Sequence, residues 1–166
     1  MATKRRKNHV PKIKVWTSRH THLINAVARM NVITKENAKK VTSVAGKMMS
    51  ENAFKDMVEL GYIKIETVEY KGKINELVKI GPKGERKLRD ISSPTTKHKY
   101  NSSSDSHDLE HSNFVFDVFS IEEIQNNYRS EKELDIIGSD SSVTDGAFIY
   151  DDERENIYIE TVTQYY

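Results

Sequence analysis

The chain has 166 residues, with 26 Lys or Arg, 25 Asp or Glu, no Cys, one Trp and three Pro. That length allows one domain of ordinary size or two small ones. The lack of cysteine excludes a disulfide framework, a cysteine zinc site and a thiol nucleophile, and no run approaches the ~20 apolar residues that span a bilayer. The balanced total hides a polarity. Residues 1–100 hold 23 Lys or Arg and 9 Asp or Glu, an excess of 14 positive charges, and residues 101–166 hold 3 and 16, an excess of 13 negative charges. A basic half suits a polyanion, and an acidic half does not unless a metal intervenes. Residues 10–15 are too few and too charged for a signal-peptide core, so the expected location is the cytoplasm. An apolar content of 36% is low enough that part of the chain is expected to be tail or linker.

Residues 1–16 read as a flexible basic arm, with six Lys or Arg and no acid in the first fourteen positions. A helix is expected over 17–31, capped by Thr17 or Ser18, with Leu23, Ile24, Val27 and Met30 at helical spacing. Thr34 starts a second short helix, with Ala38 and Val41 facing inward. A third helix is expected from Thr42 or Ser43 through Lys47, Met48, Phe54 and Met57 to Leu60, with Met48, Met49 and Met57 filling the core. Gly61 sits where a left-handed residue would end it. The period then becomes alternating. Residues 62–70 and 74–80 read as two strands joined by a tight turn at Lys71-Gly72-Lys73, followed by a basic helix over 83–91. Residues 92–106 are rich in Ser and Thr and read as a linker, placed where the charge changes sign. The acidic remainder, 107–166, reads as one helix over 107–129 with Leu109, Phe114, Val118, Ile121 and Ile124 as core positions. A short strand over 134–137 follows, then a polar turn over 140–144 and a hairpin of 146–150 with 157–162.

The fold class expected is therefore α+β: an N-terminal winged helix-turn-helix over 17–91 and a small C-terminal helix-plus-hairpin domain. Three helices before a hairpin with a basic tip have the order of a winged helix. Met57-Val58-Glu59-Leu60-Gly61-Tyr62-Ile63 resembles the exit from a recognition helix, and Leu77-Val78-Lys79-Ile80-Gly81-Pro82-Lys83-Gly84 resembles the end of a wing in bacterial winged-helix proteins. Such a module lays the second helix of its pair in the major groove, N-terminal residues toward the base edges. Thr42, Ser43, Lys47 and Ser50 are the candidates, with Lys47 able to reach guanine acceptors. Lys71 and Lys73 at the hairpin tip would meet a neighbouring backbone. Lys39, Lys40, Arg5, Arg6 and Lys7 would add attraction without sequence preference.

The acidic half carries three short motifs, His107-Asp108-Leu109, Thr144-Asp145-Gly146-Ala147 and Tyr158-Ile159-Glu160-Thr161-Val162. Behind a winged helix, they resemble the replication-relaxation family of plasmids and phages. The resemblance implies a domain related to Asp…(Asp/Glu)-x-Lys nucleases, in which Asp145 and Glu160 would share a Mg²⁺ and a lysine two residues after the Glu would steady the phosphate. Here that position is Val162, and the chain stops six residues after Glu160. The expectation is thus a degenerate nuclease-like domain: no enzyme, no cofactor and no metal, Asp145 and Glu160 being the residues that would hold one. Asp145 has an ordinary alternative as the acid of a turn before Gly146. His107 and His111, at i and i+4, could bind zinc, but no third ligand is marked.

The function expected is sequence-specific binding of double-stranded DNA for a phage or plasmid, in control of transcription or replication. The rivals are a protein-interaction module that binds a host or element-encoded partner through its acidic half, and a metal-dependent nuclease. No membrane partner is expected. A single module buries only about 600–1,000 Å² against DNA, so a homodimer dependent on residues 107–166 is expected, with aromatics of the acidic half at its interface.

Overall fold

The computed structural model describes residues 9–91, 105–136 and 144–162. Arg5, Arg6 and Lys7, residues 92–104 of the expected linker and the turn residues 140–143 lie outside the described residues. The protein is mixed α+β with two small antiparallel sheets.

Helix α1 (Ser18–Met30) begins where Thr17 is extended and His20 Nδ1 accepts from the Thr17 amide at 3.0 Å. This is the reach-back that Glu or Gln makes in a capping box. Leu23, Ile24, Val27 and Met30 are all buried, as their spacing requires. The two-residue strand β1 (Ile33–Thr34) leads into α2 (Lys35–Val41), where Thr34 accepts from the Asn37 amide and Ala38 and Val41 face inward.

The helix expected from Thr42 or Ser43 begins only at Glu51. Val44 and Lys47 exchange backbone hydrogen bonds at 3.0 Å around Ala45 (φ 52) and Gly46 (φ 77). Two central residues of positive φ make this a type I′ turn, which a helix cannot continue through. Helix α3 (Glu51–Glu59) starts at Ser50, whose side chain accepts from the Ala53 amide, and buries Phe54 and Met57. Met48, expected in the core, lies on the exposed side of the turn, while Met49 is buried.

Strands β2 (Ile63–Tyr70) and β3 (Lys73–Ile80) form the expected hairpin over Lys71 (φ 51) and Gly72 (φ 72). Strand β1 joins them, pairing Ile33 with Val78 and Thr34 with Leu77, so the order is β1-β3-β2. Helix α4 (Pro82–Asp90) closes this part with Pro at its first position, where no amide is needed.

In the acidic half, α5 (Asp105–Val118) takes up the last two residues of the expected linker. The single helix expected over 107–129 is broken. Ser120 caps α6 (Ile121–Asn127) by accepting from the Glu123 amide, and Phe119 leaves the helix to stack on Phe148 at 3.8 Å. Phe114 and Val118, expected as core, are exposed on α5, whereas Leu109 and Val115 are buried. The strand expected at 134–137 is instead helix α7 (Glu131–Ile136), preceded by the short strand β4 (Tyr128–Ser130). Strands β5 (Gly146–Phe148) and β6 (Ile157–Ile159) pair as the expected hairpin, and β4 joins β5, giving the order β4-β5-β6.

The two halves share one apolar core. Val115, Ile124, Tyr128, Phe148, Tyr150 and Ile159 belong to the same buried cluster as Leu23, Ile24, Val27 and Met30. Polar links cross the same boundary. Arg29 Nε donates to Glu133 Oε1 at 2.8 Å, and Lys79 Nζ donates to Asp105 at 2.8 Å. No helix among the described residues is long and apolar enough to cross a membrane.

Candidate nucleic-acid interface

The turn between α2 and α3 is held from three sides. Thr42 Oγ1 donates to Lys39 O at 2.6 Å and accepts from the Met49 amide at 2.8 Å. Arg19 of α1 donates to the carbonyls of Lys47 and Val44 at 3.0 and 3.1 Å. Gln125 of α6 donates to those of Val41 and Ser43 at 2.8 and 2.7 Å. These are internal bonds, and they fix what faces outward, namely Ala45, Gly46, Lys47 and Met48, followed by Ser50, Glu51 and Asn52.

The residues singled out from sequence separate accordingly. Thr42 is buried and spends its hydroxyl on the turn, so it offers nothing to a ligand. Ser43 is half-buried, and its carbonyl is held by Gln125. Ser50 is exposed, but its oxygen caps α3. Lys47 is exposed at the turn and its ammonium has no partner among the described residues.

The lysines of α2 are largely neutralised. Lys39 pairs with Glu51 and lies over the Phe54 ring at 5.7 Å, and burial with the nearby Lys35 charge lowers its pKa. Lys40 pairs with Glu36 one turn away at 3.2 Å. At the hairpin tip Lys71 lies 3.5 Å from Glu110 of α5, whereas Lys73 is exposed.

Two residues that the sequence reading passed over complete this surface. Asn52 is exposed and Lys55 half-exposed on the outer face of α3. Their signal was present: Gly46 marks a break, and Ser50-Glu51 is a helix start. A helix beginning at Thr42 or Ser43 would have other residues in its first turn.

The motifs of the acidic half also meet. The Asp145 carboxylate accepts from the Thr161 amide at 2.6 Å and lies 3.4 Å from His107 Nε2, which donates to Thr161 O at 3.0 Å. His111 bonds Thr161 Oγ1 through Nδ1 at 2.8 Å and the Tyr128 hydroxyl through Nε2 at 2.7 Å. Burial holds the His111 pKa down to about 4, with His107 adding to the effect against the pull of Asp145. Burial acts on His107 too, but Asp145, the Thr161 carbonyl and Asp108 outweigh it and raise its pKa. Both ring nitrogens of His111 are thus engaged, which removes it as a zinc ligand.

The neighbour of Asp145 is Thr161, because Ile159 faces the core and Glu160 faces out. What forms is a clamp between α5 and the β5–β6 hairpin rather than a pair of carboxylates. Among the described residues, the group whose ligand atoms could hold a metal lies elsewhere: His9, Asp56 and Glu59, within 4.8 Å of one another. There His9 Nε2 donates directly to Asp56 Oδ1 at 2.7 Å, which ties residue 9 to α3.

Comparison of the chain with protein-family models, with curated proteins and with solved structures finds no match in any of the three.

Proposed function

We propose that the chain binds double-stranded DNA through its N-terminal half, working as a winged helix in which α3 enters the major groove and the β2–β3 hairpin meets the adjacent backbone. The observation that carries this reading is the connectivity: three helices and a hairpin whose second strand also pairs with β1. It sets a short helix ahead of a hairpin: Lys47 is exposed in the turn before the helix, Lys55 lies on the helix, and Lys64 and Lys73 are exposed on the hairpin. In this reading Asn52 and Lys55 take the base-edge role given above to Thr42 and Ser43, since amide and ammonium groups can match adenine and guanine edges. Lys47 and Lys73 contact phosphates, and the arm with Arg5, Arg6 and Lys7 adds attraction. Likeness of the acidic half to the replication-relaxation family suggests a phage or plasmid setting and control of replication or transcription. The half itself has no catalytic role in this reading.

The test is selection of bound duplexes from a random-sequence pool with the full chain, followed by titration over a range of salt. Affinity should fall linearly with the logarithm of salt. Lys73→Ala should weaken all duplexes alike and reduce the slope by about one, whereas Asn52→Ala should cost about 1–3 kcal/mol on the selected site and relax its preference. No binding to any duplex at low salt sinks the reading.

A further inference from the structure

A groove of about 850 Å³ runs between α5 and β6. Phe114, Val118, Ile157, Tyr158 and Val162 line it, half of the ten large apolar side chains exposed among the described residues. Such a concentration marks an interaction surface, where scattered exposed apolar residues would not. Strand β6 is last in the order β4-β5-β6, so its outer edge carries no strand among the described residues, and bare edges recruit extended segments. Of its charged lining, Lys71 is paired with Glu110 at 3.5 Å, while Asp117 and Glu160 lie exposed, so an occupant with apolar side chains and positive charges would fit.

The chain carries such a segment. Residues 10–15 cross the surface between two anchors. His9 is bonded to Asp56 of α3, and Trp16 donates to Thr21 Oγ1 at 2.8 Å and packs against His20, Tyr62 and Lys87. Ile13 turns inward to the core. Val10 and Val15 are 74% and 70% exposed, and Lys12 and Lys14 are exposed with no partner among the described residues. Pinned at both ends, the segment loses little further freedom on docking. No residue of it lines the groove of its own copy.

We propose that the α5–β6 groove receives the basic–apolar segment 10–15 of a second copy of this chain. Val10 and Val15 meet the apolar wall, and Lys12 and Lys14 meet Asp117 and Glu160. Each copy offers one groove and one segment, and the exchange is reciprocal, which closes a two-fold dimer and leaves no open end. Pairing groove against groove would instead set the rim acids against each other. The arrangement also places the basic part of one copy on the acidic part of the other, which offsets the repulsion that opposes association of the acidic halves alone. The proposal does not depend on the DNA reading, and its test contains no DNA.

Sedimentation equilibrium of the full chain over a range of concentration should show a reversible dimer. Asp117→Lys with Glu160→Lys should weaken it at least about tenfold, as should Lys12→Glu with Lys14→Glu in an otherwise unchanged chain. All four sites are exposed, so melting curves recorded at concentrations too low for dimer to form should stay unchanged. Combining the four substitutions in one chain should restore the dimer, because both charge patterns are then reversed together. A chain monomeric at all concentrations overturns the proposal. So does a dimer indifferent to either reversal, a reversal that is not rescued by its complement, or a monomer that takes up a lysine–valine peptide in the groove.

Discussion

Arg29 and Glu133 form the most buried charged contact between the basic and acidic halves. Glu133 Oε1 accepts from Arg29 Nε and also from the amide and hydroxyl of Ser130 at 3.1 and 3.2 Å, while Oε2 is buried with no hydrogen bond. A buried pair adds little over apolar residues of the same shape, but removing one member strands the other charge. Arg29→Met should therefore lower the unfolding free energy by about 3–5 kcal/mol, and adding Glu133→Leu should recover most of that loss. Urea denaturation of the two variants decides it, and equal stabilities would remove the stranded-charge account. His111 gives the protein its acid sensitivity at this scale. Its folded pKa of about 4 lies below the ordinary value of 6.5, so the unfolded chain binds the proton more readily. The stability that neutral His111 supports is complete above about pH 6.5 and is lost as pH falls toward 4, up to about 3 kcal/mol. His107 works in the opposite direction: its raised pKa contributes stability at low pH that fades as pH rises through the folded value, and this offsets part of the loss. His111→Gln can keep the hydroxyls of Thr161 and Tyr128 bonded without titrating. Its unfolding free energy should vary less than that of the unaltered chain between about pH 7 and pH 4.5.

At the scale of elements, Ser50 separates a structural role from a binding one. It caps α3, so Ser50→Ala should cost about 1 kcal/mol, and Ser50→Asp should keep most of the stability. A thermal melt showing no loss for the alanine variant would leave the start of α3 unexplained. Gly84 tests the seating of α4, because a Cβ there would collide with the Tyr62 carbonyl and the Ile80 side chain. Gly84→Ala should cost about 1–3 kcal/mol through a backbone shift, despite its better helix propensity. How far the elements could be read from sequence follows from what each depends on. Helices α1 and α2 and both hairpins rest on local period and turn chemistry, and these are visible in the chain. The start of α3 is not legible from spacing, because Met48 falls in phase with the apolar residues that follow, while the left-handed pair Ala45-Gly46 prevents a helix there. The break before α6 was signalled by Ser120 with Glu123 three residues on, yet the apolar run from Phe114 to Ile124 hid it. Strand β4 could not be read locally, because Tyr128 becomes a strand residue by pairing with Phe148 twenty positions away. The same limit applies to the acidic cluster. Asp145 is recognisable in its turn, but the phase of β6, which turns Glu160 outward, is set by the burial of Ile159.

For the whole molecule, the charge split and the Ser-rich segment suggest two bodies, but the packing joins them. Charge describes the surface of each half, whereas Ile124 and Tyr128 are set by contacts with α1, and Phe148 by packing on Tyr128 and Phe119, that no local pattern encodes. The consequence concerns residues 1–91 prepared alone. That fragment keeps the β1-β3-β2 sheet and α1 to α4, but it loses the cover over one side of α1. Arg29 loses Glu133, and the carbonyls of Val41 and Ser43 lose Gln125, one of the three supports of the turn before α3. Exposed apolar surface and a loosened turn both lower stability. The fragment should therefore melt roughly 10 °C or more below the full chain, and its α1 amides should exchange faster with solvent. Because the turn presents Lys47 and positions α3, DNA affinity should fall along with stability even though every proposed contact, the arm included, lies in 1–91. Restoring residues 92–166 on the same chain should recover both. A fragment that melts with the full chain, keeps the protection of α1 and binds duplex DNA equally well would show that the shared core has no bearing on either property.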